Sequence, residues 1–309
     1  MYQDLRLNNP WMVAVWPGIG QVAISAGYYL MAKLGTHVVA ELPPEGLFDV
    51  DHVDVKQGLI RTGRLPRNRL FLWTDPRGQR DIVIFVGEAQ PPMGKYAFCR
   101  KIVRFAQDLG VERIFTFAAM ASEMRPEDHS RVFGAAVDRE SLSELQAMDL
   151  EIMEEGRIGG LNGILLGIAG ESDLRGACLL GEMPQMFAQL PYPQASLAVL
   201  RAFSQLAGIQ VDVSELAEQA AAVDEKLGEL LASVERAMEQ PESEAPETWR
   251  IHPEEEDSLT PSEQRRIEDL FALVRQDRSK AYELKRELDR LEVFREYEDR
   301  FLDLFKKPQ

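Results

Sequence analysis

Apolar residues along this chain fall into short unbroken runs, one alternating run and several helical stripes, and their order sets the first expectations. Met12-Val13-Ala14-Val15-Trp16 reads as a buried strand leading through Pro17-Gly18-Ile19-Gly20-Gln21 into a helix that ends near Leu34-Gly35. His37 to Glu41 reads as the next strand. Pro43-Pro44-Glu45-Gly46 then breaks any helix, and Phe48 to Val55 alternates with the period of two that marks a half-exposed strand. Leu70 to Trp73 and Ile82 to Val86 are joined by Asp75-Pro76-Arg77-Gly78, a link too short for a crossover helix, which makes them antiparallel neighbours. The sheet is therefore expected to be mixed.

The pattern then becomes α/β. Phe98, Ile102, Phe105, Ala106 and Leu109 form one face of a helix that Gly110 stops. Arg113 to Ala118 and Val132 to Val137 read as strands with the polar loop Ser122 to Arg131 between them. Ile158 to Gly167 reads as a glycine-rich turn entering a tightly packed helix, and Gly176 to Glu182 as the last central strand. Helical spacing takes over at Pro193, resumes after Asp212, whose spacing to Glu215 resembles a capping box, and runs to about Met238. Glu239 to Ser258 is acidic and proline-bearing, as in a solvated linker. Thr260-Pro261-Ser262-Glu263 is a strong helix start, and beyond it Ile267, Leu270, Phe271, Val274, Leu284, Leu288, Phe301 and others lay an apolar stripe along a charged helix or helix pair. Such a stripe folds back on its own domain or pairs with another chain; both remain open. The expected organisation is an α/β domain over 1–238, an acidic linker over 239–258 and a helical tail over 259–309.

Composition narrows the function. The apolar content of 45% suits a folded core, and the net charge of −16 repels nucleic acid. Cys99 and Cys178 lack the spacing of a disulfide framework or a zinc site, which fits a reducing cytoplasm. No apolar run is long enough to span a bilayer, and Met1 to Arg6 lacks the pattern of a secretion signal, so neither membrane nor export is expected.

The turn after the first strand fits G-x-G-x-x-A, with Glu41 about twenty residues on, and alone suggests a dinucleotide site. A second βαβ half is missing. Gly18 and Gly20 then read either as a backbone cradle for phosphate or as a tight bend between strand and helix. Glu88 and Glu182, at strand ends, suit a carboxylate pair lining a cleft, or equally caps or interface charges. His52 lies among Asp49, Asp51 and Asp54, and His129 beside Ser130; a surface role fits each, since no second cluster completes a metal or triad site. No catalytic signature of the hydrolase, zincin or P-loop kinds is present, and no cofactor or metal is expected.

The order of landmarks resembles the proteasome assembly chaperone 2 family in its bacterial and archaeal form. These are Pro17 to Ala23 with Tyr29-Leu30, Val86-Gly87-Glu88-Ala89-Gln90-Pro91 with Tyr96, Ile158 to Gly163, Leu180 to Pro184, Pro193 to Ser196, and Gly208 to Val213. The resemblance covers about residues 10 to 235. It implies a three-layer α/β/α core with a mixed sheet, phosphorylase/hydrolase-like, carrying a smaller helical part. It also implies a homo-oligomer with a scaffold or chaperone role without ATP hydrolysis. The expected partner is a protein client, and Gly18, Gly20, Glu88, Gln90, Tyr96 and Glu182 are the candidates for a ligand or interface cleft. Members that dock on proteasome rings can end in a hydrophobic-Tyr-any tail; Phe305-Lys306-Lys307-Pro308-Gln309 departs from that pattern, so ring docking is not expected. The competing reading is a nucleotide- or nucleoside-binding enzyme using the Gly18-Gly20 turn and the strand-end carboxylates.

Overall fold

A computed structural model describes residues 6–44, 46–49, 53–56, 58–239 and 259–306. The readings at His52, across 240–258 and at 307–309, and the N-terminal Met1 to Leu5, lie outside the described residues.

β1 (Trp11–Val15) is buried at every position because strands flank it on both sides and helices cover both its faces. Its alternation divides the core: Val13 and Val15 point to one layer of helices, Met12 and Ala14 to the other. Around it lie β2 (His37–Leu42), β5 (Asn68–Trp73), β6 (Ile82–Gly87), β7 (Arg113–Ser122), β8 (Val132–Ala136), β9 (Glu151–Ile152) and β10 (Arg175–Pro184), in the order β2-β5-β6-β1-β7-β10-β8-β9. The centre, β6-β1-β7-β10, is parallel; β5 runs antiparallel to β6, β2 to β5 and β8 to β10. The mixed sheet anticipated from the short link at 75–78 is thus present. Of the alternating run Phe48 to Val55, Val53 to Val55 lie in β3 (Val53–Lys56), which pairs with β4 (Leu59–Thr62) as a separate two-stranded hairpin.

One face of the sheet carries α2 (Lys95–Asp108) and α4 (Gly160–Glu171). The other carries α1 (Val22–Leu34), α3 (Arg139–Ala147), α5 (Pro193–Ala207) and α6 (Ser214–Glu239), giving the three-layer α/β/α class. Asp138 caps α3 by accepting from the Ser141 amide at 2.8 Å, a helix with no counterpart in the sequence reading. The expected Asp212–Glu215 box is absent: the Asp212 carboxylate accepts from the Ser214 amide and hydroxyl, while Glu215 pairs with Lys33 of α1 at 2.9 Å.

Among the described residues the tail forms three α-helices rather than one or two: α7 (Pro261–Gln276), α8 (Ala281–Arg290) and α9 (Phe294–Asp303). The Thr260 capping box opens α7, Asp277 turns the chain after it, and Glu292, at φ +57°, breaks α8 from α9. Its apolar stripe packs on its own chain. α1 is buried nearly all round, as an apolar helix must be. On its inner side Gly27 lets it approach β1, where an added Cβ would stand 2.5 Å from a Val15 methyl. On its outer side Tyr29 meets Tyr282 edge-on at 4.4 Å between centroids, and Tyr28 meets Phe294 and Phe301 at 5.4 and 5.8 Å.

Charge reinforces this seam. Glu41, Glu88, Glu298 and Asp299 converge on Arg64, Arg67 and Arg69. Asp299 reaches Arg67 at 3.1 Å and also pairs with Arg69, which is buried on β5. Tyr28 donates to Glu298 at 2.6 Å. Burial, and then the charge of Glu88, push the Glu298 carboxyl above the usual carboxylate range.

Candidate functional site

The parallel strands β6, β1 and β10 end at the same edge of the sheet, and the loops that leave them are tied together. After β1, the Gly20 amide donates to Ala188 O at 2.9 Å, the Gln21 amide to Gly18 O at 2.9 Å and the Val22 amide to Ile19 O. Three successive amides that a phosphate would need are therefore already bonded to protein carbonyls. Gly20 stands at φ +57°, and a Cβ there would lie 2.4 Å from Met183 Sδ of β10. Gly18 is extended and has open space where a side chain would go, so its lack of a side chain answers no steric need. Gln90 closes the edge from the other side: its amide donates to Pro17 O at 3.2 Å and its oxygen accepts from Leu161 N at 3.2 Å. Tyr192 N donates to Gly20 O at 2.9 Å and completes the tie to α5.

Gly18, Gly20 and Gln90 thus belong to one construction. The two carboxylates do not meet. Glu182 points to the α2/α4 side of β10 and is almost fully buried, accepting from Arg131 Nε and Nη2 at 2.7 and 2.8 Å and from the Ser122 hydroxyl at 2.8 Å. The Arg131 hydrogen bonds hold it below the usual carboxylate range despite its burial. Glu88 turns to the opposite face and joins the arginine cluster under α9, taking Arg64 at 2.5 Å and the Arg67 amide at 2.9 Å. Two strands separate them, which is about 14 Å of sheet. Each braces two segments. Glu41 is the last but one residue of edge strand β2, separated from β1 by β5 and β6, and its carboxylate is forked by Arg67.

On the tied loops stand large apolar side chains that face solvent: Ile19 after β1, Met93 after β6, Met186 and Leu190 after β10, with Met93 79% and Met186 60% exposed. Tyr96, also exposed, lies just beyond Met93 on α2 and donates to Glu171 at 3.0 Å. Sequence reasoning passed over Met93, Met186 and Leu190; the available signal was their place in the proline- and glycine-bearing stretches Pro91 to Gly94 and Pro184 to Pro191, where no helix or strand buries them. A rim of this composition is suited to contact with another polypeptide: thioether side chains adapt to irregular surfaces, and the hydrogen-bonded base keeps the loops in place. Burial pushes the Cys99 and Cys178 thiols up to about 12, which leaves neither as a thiolate at neutral pH. Among the described residues no three His, Cys, Asp or Glu side chains are grouped to hold a metal ion, and no helix is long and apolar enough to cross a membrane.

The PAC2 family profile matches residues 12–231. The chain belongs to the PAC2 family. Among solved structures it is similar to PbaB from Pyrococcus furiosus, described as an archaeal proteasome activator, with 25% identity, 77% of this chain and 97% of that one covered, and a TM-score of 0.62. A PAC2 family protein from Streptomyces avermitilis is similar at 26% identity, over 72% of this chain and 95% of that one, with a TM-score of 0.62. An uncharacterised protein of Methanocaldococcus jannaschii is 25% identical over 223 residues, 71% of this chain and 82% of that protein. The PAC2 match takes in every loop of the rim and ends within α6, so α7, α8 and α9 lie beyond it.

Proposed function

We propose that this PAC2 protein is a non-enzymatic scaffold of the assembly-chaperone kind, which associates with itself and holds a protein client without ATP. The observation that carries the reading is the rim of Ile19, Met93, Met186 and Leu190 on loops locked by Gly20, Gln90 and Tyr192. Its mechanism is apolar burial: covering one such side chain stabilises a complex by up to about 1.5–3 kcal/mol before the entropy of association is deducted. The likeness to an archaeal proteasome activator supports a protein, rather than a small molecule, as the thing bound. The bonded amides of the 18–22 turn and the divergence of Glu88 from Glu182 weigh against the nucleotide enzyme. The net charge of −16 weighs against nucleic acid, and two buried, unpaired cysteines suit a cytoplasmic setting. In this reading 1–238 is the family unit, 239–258 a spacer, and 259–309 an appendage that adds to the unit.

Self-association is assigned to the β3–β4 hairpin. Val53, Val55 and Ile60 are exposed on it, Val55 lies opposite Ile60, and a lone two-stranded hairpin has little stability in water without a partner. Light scattering of the intact chain across micromolar concentrations is expected to give a mass above the 34.9 kDa protomer, returning to it in Val55→Asp/Ile60→Asp. A monomer at every concentration, or a variant that assembles as well as the parent, removes this part of the proposal.

A further inference from the structure

The edge that bears Ile19, Met93, Met186 and Leu190 is also where α1, α2, α4 and α5 begin. α1 and α2 follow β1 and β6, Gln90 ties the first turn of α4 to Pro17, and Tyr192 ties the start of α5 to Gly20. None of these four helices has an acidic residue in its first turn or a side-chain cap from its own N-cap residue. The helices that begin elsewhere, α3, α6, α7, α8 and α9, each carry an acid there, at Glu140, Glu215, Glu263, Glu283 and Glu296. A carboxylate stabilises a helix N-terminus, so a chain with 51 acidic residues against 35 basic ones has kept from its apolar edge the charge that it places at the other helix starts.

Two cations stand where acids would be expected. Lys95 is the first residue of α2, next but one to Met93, and Arg157 is exposed two residues before the Gly159 cap of α4. Neither forms an ion pair among the described residues, although Glu154 and Glu155 share the loop with Arg157. A lysine in the first turn opposes the helix dipole, so Lys95 costs stability where it stands. α2 and α4 pack side by side, with Cys99 Sγ 4.0 Å from Leu161 O near their starts, which sets the two positive ends about 8–10 Å apart.

Resting on the scaffold reading above, in which the rim holds a protein client, we infer that the client segment is acidic. Its apolar side chains cover Ile19, Met93, Met186 and Leu190, and its Asp or Glu side chains meet Lys95, Arg157 and the starts of α2 and α4. Two separated positive ends suit side-chain carboxylates spaced along a segment better than the single carboxylate of a chain terminus. Charge speeds the encounter and selects the partner, and apolar burial holds the complex.

The test is selection of a random dodecapeptide phage library on the intact protein, followed by fluorescence anisotropy of the enriched sequences as amidated synthetic peptides. Enriched sequences are expected to combine apolar residues with at least two Asp or Glu. Their affinity is expected to fall about fivefold or more in Lys95→Gln/Arg157→Gln, and to fall for the parent as NaCl rises from about 0.05 to about 0.5 M. Lys95→Glu is expected to melt higher than the parent while losing the peptides, a combination that a merely structural lysine does not give. Neutral or basic enriched sequences, or unchanged affinity in the folded Lys95→Gln/Arg157→Gln protein, overturn the acidic assignment. Ile19→Ser/Met93→Ser separates the two levels. Peptides lost by this protein but kept by the charge variant remove only the acidic segment and leave the rim reading standing; peptides kept by both, or a library without any rim-dependent binder, remove both.

Discussion

Glu298, on α9, has its carboxylate against the Tyr28 hydroxyl and faced by Glu88, with Arg64, at 3.5 Å, and Lys285 offsetting its charge. A carboxyl raised in the folded state binds its proton more tightly there than in the unfolded chain. Its contribution to stability is therefore present in acid and is lost as pH rises through the folded value. Glu298→Gln keeps the shape and a hydrogen bond to Tyr28 while removing the charge. Its melting temperature is expected to exceed the parent's at about pH 8, with the gap closing towards about pH 5. A gap independent of pH would show that Glu298 is not the titrating group. At this scale the sequence was informative where a residue type answers a steric demand, as Gly20 does beside Met183. It was silent on Glu88 and Glu182, because a strand-end carboxylate looks the same whether it faces a cleft or an arginine brought from a distant segment.

Among the elements, α1 is packed on both sides, against the sheet and against the tail. Phe301 of α9 is fully buried and contacts Tyr28, Phe294 and Phe305 ring to ring. Phe301→Ala is expected to lower the unfolding free energy by about 3–5 kcal/mol in a urea titration. A loss below about 1 kcal/mol would mean that the tail does not rest on α1 as described. The central strands and the long helices were legible from period and turn chemistry, and the antiparallel β5–β6 pair followed from a link too short to cross over. What escaped was short or charged. α3, Arg-Glu-Ser-Leu-Ser-Glu-Leu-Gln-Ala, buries only Ser141 and Leu145, too few apolar positions to register as a stripe, although its Asp138 cap was there to be read. β9 is two residues long and pairs with β8 alone. The apolar stripe of the tail was visible, but whether it met its own chain depended on α1, whose outer tyrosines no local pattern links to residues some 270 positions away.

Across the whole molecule, burial is uneven. The sheet, both helical layers and the tail cover one another, while the rim at the end of β6, β1 and β10 and the β3–β4 hairpin keep apolar side chains in solvent. Exposed apolar surface of this kind favours association. The tail covers α1, and the exposed rim lies in the part of the chain shared with the PAC2 family. The measurement that bears most directly on this is paired affinity capture from an extract of the source cells. The intact chain is compared with an Ile19→Ser/Met93→Ser/Met186→Ser variant of unchanged melting temperature, with and without ATP, and bound proteins are identified by mass spectrometry. A discrete protein retained by the intact chain regardless of ATP and lost from the variant is the expected result; the same proteins retained equally by both would contradict the account.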